Sequence, residues 1–248
     1  MRKLIGLLVL LALLALLVGL DRVAAGVAGR AIAQRAQDSQ HLAQRPDVAV
    51  HGFPFLTQVL AGRYQNVTAQ LHDVPIEGPR LSSVDVTAND VRVPLGDIVG
   101  GSVKQVPVGR ARGSVTISYA DLNAYLARRV QGVVGSAAAV TTRDNNGHLR
   151  LTGSVELPLI GQQSASGDAD ISLAGNQVTL RPSAVDVAGQ SLPSAVRGIV
   201  SDALTVHLSL QNLPFGVRLT AVRPTPEGIS LDGGADGLVV SSTGTSGG

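Results

Sequence analysis

From Leu4 to Leu20, seventeen consecutive positions carry no charge and no strong polar group. Such a run is the lower limit for a membrane-spanning helix and the upper limit for the core of a signal peptide. The apolar periodicity continues beyond it. Ala24, Ala28 and Ile32 share one helical stripe and Val23, Val27 and Ala31 the neighbouring one, while Arg30, Arg35 and Asp38 face away. The pattern predicts one helix to about Gln40. Gln44-Arg-Pro-Asp47 breaks it, and Val48 to Val50 reads as a short strand. Phe55, Leu56, Val59 and Leu60 then recur at helical spacing, with Gly62 placed where a helix C-terminus favours positive φ.

Period-2 alternation follows over Tyr64 to Val74, Leu81 to Val93 and Val106 to Ser118, which predicts strands with one buried face. The parity changes at Asn89-Asp90 and marks a bulge or tight turn. Leu95 to Val99 fits a helical turn between Pro94 and Gly100. Ser118-Tyr-Ala-Asp121 is a helix start, a Ser N-cap with an acid three residues on, followed by the stripe Leu122, Tyr125, Leu126 and Val130. Further strands are predicted at Ala137–Arg143, His148–Leu157, Gln163–Ala174, Gln177–Val187, Thr205–Gln211, Val217–Val222 and Gly228–Asp232, with hairpin signals at Asn146-Gly147 and Gly175-Asn176. Leu192, Val196, Ile199, Val200 and Leu204 make a third amphipathic pattern, with Pro193 near its first turn.

Strands outnumber helices and join by tight turns, so the expected class is α+β. A curled antiparallel sheet is wrapped against the long N-terminal helix and two shorter helices. Residues 1–20 form a transmembrane anchor or signal segment, 21–240 the folded body, and 241–248, all Ser, Gly and Thr, a disordered tail. Arg2 and Lys3 precede the apolar run and stay cytoplasmic, so the body is expected outside. Val23-Ala24-Ala25 offers a small-residue cleavage site, so anchored and secreted forms both remain open.

Charge removes one class of function. Arg2, Lys3, Arg22 and Asp21 flank the apolar run, and setting them aside leaves 17 basic and 17 acidic residues. A neutral body with two Lys in the whole chain and no Trp suits neither phosphate-backbone binding nor base stacking, so nucleic acid is excluded as a partner. With no Cys there is neither a disulfide nor a lipoprotein anchor at this terminus.

No catalytic constellation emerges. There is no G-x-S-x-G elbow, P-loop or dinucleotide fingerprint, and Gly161-Gln-Gln-Ser164-Ala-Ser-Gly167 has the wrong spacing for an elbow. The five His never pair at i+2 to i+4, and Asp144-Asn-Asn-Gly147 lacks the acid that closes a calcium loop. No cofactor, no metal and no catalytic residue is therefore expected. Asp168 and Asp170 lie on one face of a predicted strand and are the sole carboxylate pair worth testing, with a solvated face as the simpler account. Six aromatic residues are too few for carbohydrate stacking.

Two of the three Phe and one of the three Tyr fall within His51-Gly-Phe-Pro-Phe-Leu-Thr-Gln-Val-Leu-Ala-Gly-Arg-Tyr64. This stretch, from Gly52 to Leu60 and again at Gly62-Arg63-Tyr64, resembles the signature of the actinobacterial LmeA-like family of envelope proteins. Leu213-Pro-Phe-Gly-Val-Arg-Leu-Thr-Ala-Val-Arg-Pro-Thr-Pro-Glu-Gly-Ile229 is similar to the end of that family's domain, and the resemblance spans roughly Asp21 to Val240. It implies phospholipid binding connected with lipomannan elongation, an envelope glycosyltransferase as candidate partner, and a tubular fold like that of bactericidal permeability-increasing protein. In that fold a rolled sheet wraps a long helix and leaves an apolar cavity. It carries over no catalytic position.

Pro54 imposes a bend, and we expect a split across it: one of Phe53 and Phe55 is structural. The other, with Leu56, Val59 and Leu60, borders the lipid, and Leu213 and Phe215 approach from the far end of the chain. The expected function is non-catalytic binding or transfer of phospholipid at the outer face of the cytoplasmic membrane. The alternatives are a scaffold docking an envelope enzyme through the Phe53/Phe55 surface and, further off, a lipid hydrolase using Asp168 and Asp170.

Overall fold

The computed structural model describes residues 2–40, 42–74, 79–100, 103–130, 139–142, 149–157, 161–182, 186–187, 190–191, 205–209 and 217–241. The class is α+β with antiparallel sheets. Helix α1 (Arg2–Gln40) is continuous through the end of the apolar run. It is followed by β1 (Asp47–His51), α2 (Phe55–Ala61), β2 (Arg63–Val74), β3 (Leu81–Arg92), α3 (Leu95–Val99), β4 (Gln105–Ser118) and α4 (Tyr119–Val130). The remaining strands are β5 (Ala139–Thr142), β6 (Leu149–Leu157), β7 (Gly161–Ala174), β8 (Gln177–Pro182), β9 (Asp186–Val187), β10 (Gln190–Ser191), β11 (Val206–Ser209), β12 (Arg218–Pro224) and β13 (Gly228–Ser241).

The strands form two sheets. One has the order β1-β2-β3-β4-β13-β12; the other runs β10-β9-β7-β6-β5, with β8 pairing β7 and β11. The chain divides into two compact units, one holding residues 1–71, 85–112 and 235–248 and the other 72–84 and 113–234. Strands β2, β3, β4 and β13 each contribute residues to both.

The first unit is built on α1, β1 and α2. Asp21, Ala25, Gly29 and Ala33 recur every fourth residue and form the buried stripe of α1, with Ala24 and Ala28 half-buried beside it. Of the two stripes expected, Ala24 and Ala28 therefore flank the buried face, whereas Val23, Val27 and Ile32 are exposed. The reason is the close approach of β1: a Cβ on Gly29 would lie 2.4 Å from the Val48 carbonyl oxygen, so small residues alone fit between helix and strand. Around Ala25 gather Val50, Phe55, Tyr64, Val91 and Val108, all buried.

The second unit has an aliphatic core. Ile117, Leu122, Val140, Leu149, Leu151, Val178, Leu180, Ile229 and Leu231 are buried together, with Tyr119 and Tyr125 packed against them. Helix α4 begins as its sequence predicts. The Asp121 amide donates to Ser118 Oγ at 3.1 Å, and Ser118 Oγ donates to Asp121 Oδ2 at 2.6 Å. Asn123 then pins the helix to β5, donating to the Val140 carbonyl at 2.9 Å and accepting from the Val140 amide at 2.6 Å.

Two strands depart from those expected by more than two residues. The strand predicted over Gln177–Val187 is described as β8 to Pro182 and β9 at Asp186–Val187, both pairing with β7, with residues 183–185 outside the described ones. Strand β13 runs nine residues past Asp232 to Ser241, through Gly233, Gly234 and Gly237. Glycines weaken the strand signal, but β12 pairs with β13 as far as Gly234 and β4 adjoins its other edge, so the ladder supplies the backbone partners that the sequence pattern does not show. Leu238 and Val240 pack on the first unit's core while Val239 faces out. The helix predicted around Leu192–Leu204, the Asn146-Gly147 turn and residues 242–248 of the tail lie outside the described residues.

Candidate functional site

The stretch from His51 to Tyr64 folds as a braced loop and helix, and most of its residues are spent on the bracing. Gly52 has φ +110, and a Cβ there would fall 2.5 Å from the Gln58 side-chain nitrogen, so Gly lets the Gln58 side chain lie against the backbone. Gln58 is buried, 6% exposed. Its Nε2 donates to the His51 carbonyl at 3.4 Å and its Oε1 accepts from the Gln65 amide at 2.9 Å, tying the strand before the helix to the strand after it. Gly62 closes α2 in the left-handed region at φ 62, its amide donating to the Gln58 and Val59 carbonyls. The Gly62 carbonyl in turn accepts from the Val93 amide at 2.9 Å. Arg63 and Arg92 both donate to Asp90 at 2.7 Å, and these hydrogen bonds lower the Asp90 carboxyl from its ordinary range to about 2. Asp90 itself takes φ 53, the irregularity that the parity change in β3 predicts.

The start of α2 is unusual. Pro54 occupies the N-cap position and offers no side-chain acceptor. Asp21 of α1, 35 positions earlier, supplies one: the Leu56 amide donates to Asp21 Oδ1 at 2.9 Å. Asp21 is 3% exposed. Burial acts to raise its pKa, but the Phe55 and Leu56 amides and the Arg22 guanidinium outweigh it and hold the carboxyl below its ordinary value. Arg22 Nη2 donates to Asp21 Oδ2 at 2.9 Å and to the Gly52 carbonyl at 2.8 Å, and its guanidinium carbon stands 5.2 Å from the centre of the Phe53 ring. A seven-residue helix is marginal alone. Here a carboxylate at its positive end, borrowed from α1, takes the place of a local cap.

The apolar residues of the motif part onto two sides. Phe55 is buried, its ring centre 6.4 Å from that of Tyr64, and Val59 packs on the same core. Phe53, Leu56 and Leu60 are exposed by 58%, 46% and 75%. Leu213 and Phe215 lie outside the described residues. A cavity of about 240 Å³ in the first unit is lined by Gly29, Arg30, Ala33, Arg45, Pro46, Asp47 and Val48, and no residue of the motif reaches it. Asp21, Arg22 and Gln58 belong to the site although sequence reasoning gave them no part in it. A charged pair directly after a long apolar run was the available signal for the first two.

Asp168 and Asp170 sit on β7 opposite Arg150 of β6 and Arg181 of β8 in the strand register. Cross-strand partners of opposite charge fit a solvated sheet face. Among the described residues no group of three or more His, Cys, Asp or Glu is arranged to hold a metal ion.

The model of the LmeA-like phospholipid-binding family matches residues 19–234. The chain therefore belongs to that family, and the match begins just before Asp21. No match was found among curated proteins or among solved structures.

Proposed function

We propose that the protein binds phospholipid without catalysis and passes it between the outer leaflet of the cytoplasmic membrane and the cell-envelope machinery that builds lipoglycans. Membership of a phospholipid-binding family carries this reading. The exposed Phe53, Leu56 and Leu60 are its acyl-chain contacts, and Phe55 and Val59 hold them in place. Each CH₂ removed from water contributes about 0.8 kcal/mol, so such a surface needs no charged or aromatic chemistry to hold a lipid.

Residues 4–20 act as an anchor that is retained. Arg2 and Lys3 hold its start in the cytoplasm and place the body outside. Retention is supported by Asp21 and Arg22: cleavage after Ala25 would discard both, together with a buried core residue, and leave α2 without its cap. The protein partner is an envelope glycosyltransferase that receives or awaits the lipid.

The test is organic extraction of the purified body from Asp21 onward, followed by mass spectrometry. Phospholipid at about one molecule per chain is expected. A body that arrives empty, yet captures an envelope enzyme through Phe53, would replace the carrier with a docking scaffold.

A further inference from the structure

We infer that the outward face of α2 is a membrane-surface contact: Phe53, Leu56 and Leu60 sit in the interfacial layer of the same bilayer that α1 crosses, held at that depth by Asp21. This rests on reading residues 4–20 as a retained anchor, and it adds a surface and a depth to that reading.

The depth follows from lengths. Seventeen helical residues rise about 26 Å, short of the roughly 30 Å hydrocarbon layer. The outer boundary therefore falls within the next turn, at Asp21 to Val23. Three features of that turn suit the position. Val23 is 65% exposed, apolar beyond the end of the run. Asp21 is withdrawn from its surroundings and neutralised by hydrogen bonds to protein. Arg22 is 47% exposed at its side chain, with Nη2 committed and its other donors left to meet lipid phosphate.

The same turn carries α2. The Leu56 amide is bonded to Asp21, and the Phe53 ring lies against the Arg22 guanidinium, so the Leu56 backbone and the Phe53 ring are held at the level of residues 21 and 22. Leu60 follows Leu56 by four residues on the same face of the helix. The exposed patch is thus continuous with the exposed run of α1, and the occupant that meets one meets the other. Apolar residues beside an Arg at the edge of a spanning helix match the chemistry of an interfacial segment.

The chain contains no Trp, so a single Trp reports one position without background. The full-length protein with Leu56→Trp, Leu60→Trp or Ile32→Trp is reconstituted in phosphatidylcholine–phosphatidylglycerol vesicles, with and without bromine on the upper acyl chain. Ile32 is exposed on α1 but stands about 18 Å beyond Leu20 along the helix. Side chains seated in the headgroup–acyl boundary should lose about two-fold or more of their emission to bromine at Leu56 and Leu60 and little at Ile32. Melting curves check that each variant folds, and the two test positions are read independently. Quenching at both no greater than at Ile32 overturns the inference, as does emission that changes with protein density instead of bromine, the mark of a second copy on the patch. If quenching fails while the body still carries stoichiometric phospholipid, the contact is wrong and the carrier stands. Quenching with an empty body supports the contact and removes the carrier.

Discussion

Helices α2 and α4 are both short, both follow or precede long strands, and both carry apolar residues at helical spacing, yet they are held in opposite ways. Helix α4 is capped from within four residues of sequence by Ser118 and Asp121, and it turns Leu122 and Tyr125 onto an aliphatic core. Helix α2 is capped by Asp21 from another helix, braced by a buried Gln58, and leaves Leu56 and Leu60 outside. The first arrangement stabilises a domain. The second presents a surface, because the rigidity of α2 comes from polar bonds and one buried Phe, which frees its other apolar side chains for a partner.

The largest effects should come where the two helices are alike. Phe55→Ala and Leu122→Ala each empty a packed site, and costs of about 3 to 5 and 2 to 5 kcal/mol are expected in denaturant unfolding of the body. A loss below about 1 kcal/mol at Phe55 would mean that α2 is not anchored by its core side.

Caps come next and sharpen the contrast. Ser118→Ala should cost about 1 kcal/mol, the usual value of a local cap. Asp21→Ala should lower the melting temperature further, since it removes the acceptor of the Leu56 amide and the partner of Arg22 in the same step. Equal stability of Asp21→Ala and the parent chain would refute the borrowed cap.

Acid should act on the exit of α2. The folded pKa of Asp90 is depressed to about 2, so its contribution is fully present above the unfolded value of 3.8 and is lost as pH falls through that window. Asp21 is shifted in the same direction and adds to the loss. Melting temperature measured between pH 5 and pH 2 should therefore fall less steeply in Asp90→Asn than in the parent chain.

The smallest stability effects belong to the outward face. Phe53→Ala and Leu60→Ala should stay within about 0.5 kcal/mol of the parent while reducing the phospholipid carried by the body. Asp168→Asn with Asp170→Asn should match them in stability and leave bound lipid unchanged, since Arg150 and Arg181 oppose them on a solvated sheet face. Loss of lipid without loss of fold in the Asp pair would reopen the question of chemistry at β7.

What could be read from sequence divides along the same line as the two helices. The cap and stripe of α4, the αL close of α2 at Gly62 and the irregularity at Asp90 depend on neighbours a few residues away, and all were legible. Which of Phe53 and Phe55 turns inward was not, since the two side chains are identical and the choice is made by Tyr64 and Arg22. The stripes expected on α1 caught Ala24 and Ala28 beside the buried face but also the exposed Val23, Val27 and Ile32, because apolar spacing alone does not show that the contact with β1 selects small residues. The far half of β13 was missed for a related reason: its glycines are poor strand formers, and pairing with strands distant in sequence outweighs them.

That last strand has a consequence for how the chain can be made. Residues 228–234 of β13 belong to the second unit, where Ser230 meets Ser114 at 3.1 Å, and residues 235–241 to the first, where Asp236 pairs with Arg110 at 2.7 Å. Its partner strand β4 lies more than a hundred positions earlier. Neither unit is complete until its part of β13 has emerged, residues 228–234 for the second and 235–241 for the first, so a nascent chain holds β4 with an open edge. Closing that edge joins strands more than a hundred residues apart, a non-local pairing that comes late and slows folding.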